Sequence, residues 1–454
     1  MDRRSFVRTG AVSLAGVSLS RWPAAHRLAL PVPTPAQLAW QREALALFLH
    51  FGVNTFTDRE WGDGREAPAI FQPARLDTRQ WARTARAAGF RALILTAKHH
   101  DGFCLWPTAT TRHSVASSPW RGGAGDLVRE FVDSCAAEGL RAGLYLSPWD
   151  RNHPTYGDTP AYNDVYAAQL TELLTRYGPI TEVWFDGANG EGPNGRRQVY
   201  DWPRVFGLVR RLQPEAVIFS DAGPDVRWCG NERGVAGDPN WSTVDPTVVS
   251  HPGQSGSGVE AALQHGHPNG TVWRPAEVDV SIRPGWFYHP AQDDKVRTVE
   301  NLLQLYFTSV GRNSKLLLNV PPTRDGLIHE TDAARLLAFR ARREELFGTP
   351  LALRPVELRQ PGQRTAGAEW ELRGPAAPRV ARLAEDITSG QRVAAYRLEG
   401  LQRGEWRVLA AGSTIGYAKL DRIPAGPPLR RVRLVIEKSV EQPEPVSLQL
   451  FERT

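Results

Sequence analysis

Between residues 44 and 345 the sequence repeats one pattern, in which a short apolar run precedes a segment with helical periodicity. This repetition predicts alternating strands and helices, and that many β-then-α units predict a closed parallel barrel, a (β/α)8-like TIM barrel. The predicted strands are 46–53, 92–97, 142–147, 180–186, 216–221, 278–282 and 315–320, and the predicted helices are 77–88, 126–138, 162–177, 202–212 and 294–310. An eighth strand must lie within 224–275, where Gly, Pro and His obscure the pattern.

The pattern changes after about residue 347. Short runs of alternating apolar and polar residues, at 392–398, 407–410, 429–436 and 446–451, are separated by Gly and Pro turns. Such runs over about a hundred residues predict an antiparallel β-sandwich. We therefore expect a barrel domain over residues 31–347 and a C-terminal β-sandwich domain over residues 348–454, preceded by a leader over residues 1–30.

The leader begins with Arg3-Arg4-Ser5-Phe6 and continues in a weakly apolar run over residues 9–19. Paired arginines before such a run predict a twin-arginine signal peptide, and therefore a periplasmic or secreted protein. The run is too short for a membrane anchor. Three cysteines, an odd number, are too few for a disulfide scaffold, which suits a protein that folds in the cytoplasm before export. The alternative is a disordered basic terminus.

The positive charge of the chain depends mostly on this leader. Residues 1–30 contain five Arg and one Asp, so their removal changes the formal charge from +6 to +2. A basic nucleic-acid-binding surface is therefore not indicated. The chain also contains fifteen Trp residues, whose faces stack well on sugar rings, but Trp is also simply a large core residue.

Polar and aromatic residues occur at, or soon after, the ends of the first four predicted strands. In chain order they are His50, then Glu60 and Trp61, His99 and His100, Trp149, and Asp186. Because the carboxyl ends of barrel strands form the active-site face, we expect these side chains to converge there. Asp186 then has the position of a nucleophile. The alternative is that Asp186 caps the glycine-rich turn that follows it.

A metal site is one interpretation of this set, since three histidines and a carboxylate can bind a cation. Adjacent residues of a strand point to opposite sides, however, so His99 and His100 can converge only beyond the end of their strand. The sequence has no His-x-His pair and no set of ligands rich in Asp and Glu. We therefore predict a site without metal or other cofactor.

A sugar site fits the residue types better. Imidazoles and Glu60 can bond to hydroxyl groups, and indole faces can cover ring carbons. Glycosidases need two carboxyl groups that flank the scissile bond. Asp186 supplies one, and four residues compete for the other: Glu232, Glu277, Asp279 and Asp221. The residue pattern alone does not choose between them.

Five motifs occur in the order LHFG, AKHHDGFCLW, LSPWD, VWFDGANGEG and WCGNERG. Together they resemble glycoside hydrolase family 29, the α-L-fucosidases, from about Trp40 through the sandwich. The resemblance implies that Asp186 is the nucleophile of a retaining mechanism. It also implies that His50, His99 and His100 bind fucose and that Glu60, Trp61 and Trp149 line the fucose pocket.

WCGNERG and the segment 277–289 resemble the family branch selective for α-1,3/4-linked fucose on branched glycans. This resemblance implies that Glu232 is the acid/base, although it could be a surface-loop residue. Trp286 is placed in the pocket, or packs on the barrel, and the role of Arg283 stays open. We expect an exported retaining exo-α-L-fucosidase acting on fucosylated oligosaccharides or glycoconjugates. The alternatives are a broad-specificity fucosidase and a fucose-binding module without activity.

Overall fold

The computed structural model describes residues 30–256, 258–356 and 367–453. Residues 1–29 of the predicted leader lie outside the described residues. The helices of the described part are α1 Pro35–Glu43, α2 Val53–Thr57, α3 Thr78–Ala87, α4 Leu127–Ala137, α5 Thr159–Arg176, α6 Trp202–Leu212, α7 Val259–His265, α8 Val299–Thr308 and α9 Glu330–Phe347. Within these ranges, no helix combines the length and the apolar character needed to cross a membrane.

Aspartate caps begin three of the predicted helices. Asp77, Asp126 and Asp201 each accept a hydrogen bond from a backbone N–H in the first turn of the helix that follows. The prediction for 294–310 was wrong at its start. Residues Pro290–Lys295 form a 3₁₀ helix, and α8 begins only at Val299 because Thr298 caps it by accepting from the backbone N–H of Asn301.

The barrel is closed and parallel. The first ten strands are β1 Leu45–Leu49, β2 Ala92–Lys98, β3 Arg141–Leu146, β4 Glu182–Trp184, β5 Val217–Ser220, β6 Val226–Trp228, β7 Thr243–Val244, β8 Val272–Trp273, β9 Ala276–Ser281 and β10 Lys315–Asn319. Eight of these close the barrel in the order β1-β2-β3-β4-β5-β6-β9-β10. The eighth strand that the fold requires is β6, which lies inside the predicted interval. Its three residues are too few to show a periodic pattern.

Alternate residues of the barrel strands point inward and form layers. At the amino-terminal end, Lys315 Nζ lies 3.2 Å from Glu182 Oε2 and 2.9 Å from Glu43 Oε2. Trp40 of α1 closes this end, and its Nε1 donates to Glu182 Oε2 over 2.9 Å. An apolar layer above includes Phe48, Tyr145, Trp184 and Phe219. The next inward positions beyond β1 and β4 are His50 and Asp186. The polar candidate site residues therefore lie at the carboxyl ends of the barrel strands.

The C-terminal strands form two antiparallel sheets, as the alternating runs predicted. Their bounds are β11 Leu353–Pro355, β12 Gly367–Ala376, β13 Val380–Ala384, β14 Val393–Gln402, β15 Glu405–Gly412, β16 Lys419–Arg422, β17 Leu429–Ser439 and β18 Ser447–Phe451. One sheet has the order β11-β12-β17-β14-β15 and the other β16-β13-β18. Tyr417 donates from its hydroxyl to the carbonyl of Ser314 over 2.7 Å. Because Ser314 directly precedes β10, the sandwich contacts the end of the barrel opposite the polar residues.

Candidate active site

Asp186 follows β4 and has a fixed orientation. Its Oδ2 accepts a hydrogen bond from the hydroxyl of Tyr145 over 3.0 Å, and its Oδ1 accepts from the backbone N–H of Ala188 over 2.7 Å. The side chain is 26% exposed. One oxygen therefore caps the turn, as the alternative interpretation supposed, while the other lies among the side chains of the barrel mouth.

His50 directly follows β1 and is held by Asn319, the last residue of β10. Asn319 Nδ2 donates to Ser281 Oγ over 2.9 Å and to the carbonyl of Trp286 over 2.8 Å. Its Oδ1 must therefore accept from His50 Nδ1, which lies 2.9 Å away. With the proton on Nδ1, the Nε2 atom of neutral His50 is left as an acceptor.

His99 and His100 follow β2 directly and lie together, as expected beyond the strand's end. Their ring centroids are 4.1 Å apart. Ser147 Oγ donates to the carbonyl of Trp149 over 2.8 Å, so it accepts from His100 Nδ1 at 2.7 Å. His100 Nε2 then lies 3.8 Å from Asp186 Oδ2. The buried Nδ1 of His99 has no hydrogen-bond partner in the described residues.

All three histidines are uncharged at neutral pH. Burial lowers the pKa of His50 to about 3, and burial also lowers the pKa values of His99 and His100 below their ordinary range. Neutral imidazoles with free acceptor atoms suit the hydroxyl groups of a sugar. In the described ranges no group of three or more His, Cys, Asp or Glu side chains is arranged to hold a metal ion.

Trp61 and Trp149 form an aromatic wall beside His100. Trp61 is 58% exposed, and its ring meets Trp149 edge-on at 5.9 Å between centroids. Trp149 lies 5.0 Å from His100 and donates from Nε1 to the carbonyl of Glu191 over 3.0 Å. Gly190 permits this packing, because a Cβ atom there would lie 2.2 Å from the Trp149 ring.

Glu232 lies on the loop after β6 and is an exposed residue. Its Oε2 accepts from Trp286 Nε1 over 3.4 Å. Partial burial of the carboxyl group raises the pKa of Glu232, and the negative charges of Asp186 and Glu60 raise it further, against the opposing effect of the Trp286 hydrogen bond. Glu232 therefore lies within electrostatic reach of Asp186.

The competing carboxyl groups have other partners. Glu277 is fully buried and accepts from Trp184 Nε1 over 3.1 Å. Asp279 accepts from Trp228 Nε1 over 2.8 Å, and burial raises its pKa to about 8. Asp221 accepts from the backbone N–H of Gly253 over 2.9 Å, and burial raises its pKa to about 6. The negative charge of Asp186 also reaches Asp221 and Asp279, but Glu232 is the most exposed of the four.

Glu60 holds the loop that carries Trp286. Its Oε2 accepts from the backbone N–H of Trp286 over 2.7 Å, and its Oε1 accepts from the backbone N–H of Phe287 over 3.2 Å. The Trp286 ring lies 5.1 Å from His50 and 6.4 Å from Phe48, so it both borders the site and packs on the barrel.

Arg283 bonds to two carboxylates that are not among the candidate site residues. Its Nε donates to Asp332 Oδ2 over 2.8 Å and its Nη1 to Asp293 Oδ1 over 2.7 Å, with the Arg283 side chain fully buried. The open question about Arg283 therefore has a structural answer: it anchors the base of the Trp286 loop to the start of α9.

Sequence reasoning missed Tyr145, Asn319 and His289. The first two were within reach, because Tyr145 is an inward position of β3 and Asn319 is the last residue of β10. His289 lies 2.5 Å from Glu60 and 2.8 Å from Asp58, a contact between segments 229 and 231 positions apart that no local pattern indicates.

Comparison with known proteins places these features in context. A family model described as alpha-L-fucosidase matches residues 40–341. Alpha-L-fucosidase 1 of Arabidopsis thaliana is 43% identical over 444 residues, 91% of this chain and 86% of the relative. The crystal structure of a glycoside hydrolase 29 family member from an unknown rumen bacterium is 40% identical with a TM-score of 0.86, covering 93% of this chain and 77% of that chain. A GH29 fucosidase of Ruminococcus gnavus in complex with fucose is 30% identical with a TM-score of 0.83, covering 95% and 97% of the two chains.

Proposed function

The chain belongs to the α-L-fucosidases of glycoside hydrolase family 29, and from this premise we propose that it is a retaining exo-enzyme that releases terminal α-1,3/4-linked L-fucose. The observation that carries the mechanism is that Asp186 is oriented by Tyr145 while burial, helped by the charge of Asp186, raises the pKa of Glu232. Retaining hydrolysis requires one carboxylate as nucleophile and a second carboxyl group as acid, and a raised pKa favours the acid role for Glu232.

The reaction follows in two steps. Asp186 attacks the anomeric carbon and forms a glycosyl ester while the bond to the leaving oxygen breaks and Glu232 gives that oxygen its proton. Glu232, now ionised, takes a proton from water, and the water oxygen attacks the anomeric carbon and releases Asp186. The ester consumes the negative charge of Asp186 after the first step, so the pKa of Glu232 falls and suits its role as base.

The proposed fucose pocket is built from neutral imidazoles and indole rings. The Nε2 atoms of His50 and His100 accept from sugar hydroxyl groups, and His99 offers the second ring of the His99–His100 pair. Trp61, Trp149 and Trp286 border the pocket with apolar faces. Glu60 has three donors in the structure, which leaves one lone-pair site of its carboxylate for a hydroxyl group. The Ruminococcus gnavus relative, solved in complex with fucose, supports fucose as the ligand of this pocket.

The linkage preference is supported by the contact between Trp286 and Glu232. If Glu232 protonates the leaving oxygen, the aglycone lies near Glu232, and Trp286, which donates to Glu232, is the indole available to contact a branched aglycone. Binding energy from that aglycone then contributes in the transition state, and truncated substrates lose turnover as well as affinity.

The test compares kcat/KM for an aryl α-L-fucoside, an α-1,3/4-fucosylated Lewis-type trisaccharide and an α-1,2-fucosylated oligosaccharide. We expect the trisaccharide to be the best substrate. Equal or faster turnover of the α-1,2 linkage indicates the broad-specificity branch. The anomer released first, followed by NMR, tests retention: initial release of β-L-fucose contradicts it.

A further inference from the structure

One histidine outside the proposed pocket lies between two carboxylates. His289 Nδ1 is 2.8 Å from Asp58 Oδ1, and His289 Nε2 is 2.5 Å from Glu60 Oε1. The His289 side chain is only 13% exposed, whereas the Asp58 side chain is 50% exposed. The arrangement joins the loop after α2 to the loop after β9.

The hydrogen-bond partners of His289 determine its charge. An ionised carboxylate has acceptors only, so both ring nitrogens of His289 must donate. Two N–H donors on one imidazole require the imidazolium form. His289 is therefore a cation between two anions, unlike the neutral His50, His99 and His100.

A series of hydrogen bonds connects His289 to Glu232. His289 orients the Glu60 carboxylate, and both Glu60 oxygens accept from the backbone of the Trp286 loop. Asn319 donates to the carbonyl of Trp286, so both backbone polar groups of Trp286 are hydrogen-bonded. Trp286 Nε1 then donates to Glu232.

We propose that His289 is a positioning residue: by bridging Asp58 and Glu60 as an imidazolium, it holds the Trp286 loop in place and so holds the indole N–H of Trp286 against Glu232. The inference rests on the proposed acid/base role of Glu232. It gives Glu60 a role as the link between His289 and the loop, in addition to any bond it makes to a sugar hydroxyl.

The groups that face His289 set the direction of its pH dependence. They are Asp58 and Glu60, and the cation Arg324 also approaches Asp58, with its Nη2 4.0 Å from Asp58 Oδ1. Burial opposes the charge, but the two carboxylates raise the pKa of His289 above its ordinary value. A raised pKa means that the bridge is complete at low pH and is lost as pH rises through that value.

The first experiment compares two substrates in single variants of the full chain. His289→Ala is expected to lower kcat on the trisaccharide by about tenfold, because proton transfer to a poor leaving group depends on Glu232. The same variant is expected to change kcat by less than about threefold on 4-nitrophenyl α-L-fucoside, whose leaving group needs little protonation. His289→Gln, which keeps amide donors near Glu60, is expected to recover part of the loss. His267→Ala, at an exposed histidine on the loop after α7, is the matched control.

A double variant separates this inference from the function on which it rests. If Glu232→Ala lowers kcat on the trisaccharide and on the aryl fucoside by the same factor, the acid/base assignment fails. If Glu232→Ala slows the trisaccharide more than the aryl fucoside but His289→Ala slows both substrates equally, the acid/base assignment stands and the positioning role of His289 is refuted. In the Glu232→Ala background, adding His289→Ala is expected to lower kcat on the trisaccharide by less than about a further twofold. If it lowers kcat by the same factor as it does in the wild-type background, the proposal is wrong.

The second experiment uses Asp58→Asn, which removes a charge but keeps an acceptor. Asp58 has φ 59° and ψ 41°, a left-handed conformation that Asn tolerates, so the fold is expected to persist. Without the charge of Asp58 the pKa of His289 falls. The pH above which kcat on the trisaccharide declines is therefore expected to be lower in Asp58→Asn than in the wild type. If this pH is the same in both proteins, the inference is wrong.

Discussion

The hydroxyl of Tyr145 donates to Oδ2 of Asp186 over 3.0 Å, across 41 positions of sequence. The two residues face each other because β3 and β4 are neighbours in the barrel and both side chains point inward. Burial, together with the charge of Asp186, holds the pKa of Tyr145 well above its ordinary value, so the phenol remains a donor. The orientation of the proposed nucleophile thus depends on a residue of the preceding strand.

Replacement of Asp186 by Ala is expected to abolish turnover, because no carboxylate is left to form the glycosyl ester. The thermal midpoint should change little, since Asp186 is partly exposed. A 2-fluoro-fucosyl reagent is expected to label a wild-type peptide that contains Asp186, as peptide mass analysis can show. Label on a different carboxylate refutes the assignment.

Tyr145→Phe is expected to lower kcat by about 10- to 100-fold, because a hydrogen bond to a charged group is worth about 1.5–3 kcal/mol. The affinity for fucose as a product inhibitor should change far less. Tyr417→Phe removes a hydroxyl that bonds to Ser314 at the barrel–sandwich contact and serves as the control. It should affect stability without affecting kcat, and an equal loss of kcat in both variants would contradict a role for Tyr145 at the nucleophile.

Glu232→Ala is expected to slow the trisaccharide by about 100- to 10,000-fold and an aryl fucoside with a good leaving group much less. Azide should restore part of the rate by taking the place of the missing base. Asp221→Asn and Asp279→Asn are the competing variants, because Asp221 and Asp279 also feel the charge of Asp186. If one of them shows leaving-group dependence and azide rescue while Glu232→Ala does not, that residue is the acid.

Asp279→Asn is expected to stabilise the protein at alkaline pH. The pKa of Asp279 is raised to about 8 from an ordinary 3.8, so the folded state holds a proton that the unfolded state releases between these values. The contribution of Asp279 to the free energy of unfolding therefore falls as the pH rises from about 4 to about 8. Asn stays neutral and still accepts from Trp228. The gain, at most about 5 kcal/mol near pH 9 by this linkage, should vanish near pH 4. A difference in unfolding free energy that is independent of pH contradicts the prediction.

Export through the twin-arginine pathway is a proposal that rests on Arg3 and Arg4. Replacing both by Lys is expected to leave active enzyme in the cytoplasm, since the pathway reads the arginine pair. Arg8→Lys, a change of the same kind outside the pair, should be exported normally. Activity in separated cell fractions measures the outcome, and unchanged export of the Arg3/Arg4 variant would refute the signal.

Most of the barrel could be predicted because strand and helix patterns are local. Seven strands and most of the helices follow from residue spacing within short windows. The same alternation predicts that the carboxyl ends of the strands share one face, and it therefore groups His50, His99, His100, Trp149 and Asp186. The three-residue β6 was located only as an interval, because its length carries no period.

What the sequence determined by itself is therefore the barrel, the sandwich and the face on which the polar residues lie. Only the tertiary structure decided that Glu232 meets Trp286, that Tyr145 orients Asp186 and that His289 bridges Asp58 and Glu60. These contacts join segments 41 to 231 positions apart. The geometry of such contacts depends on how strands neighbour one another and how loops return to the barrel mouth. Spacing along the chain encodes the period of an element, but it does not encode the distance between two loops.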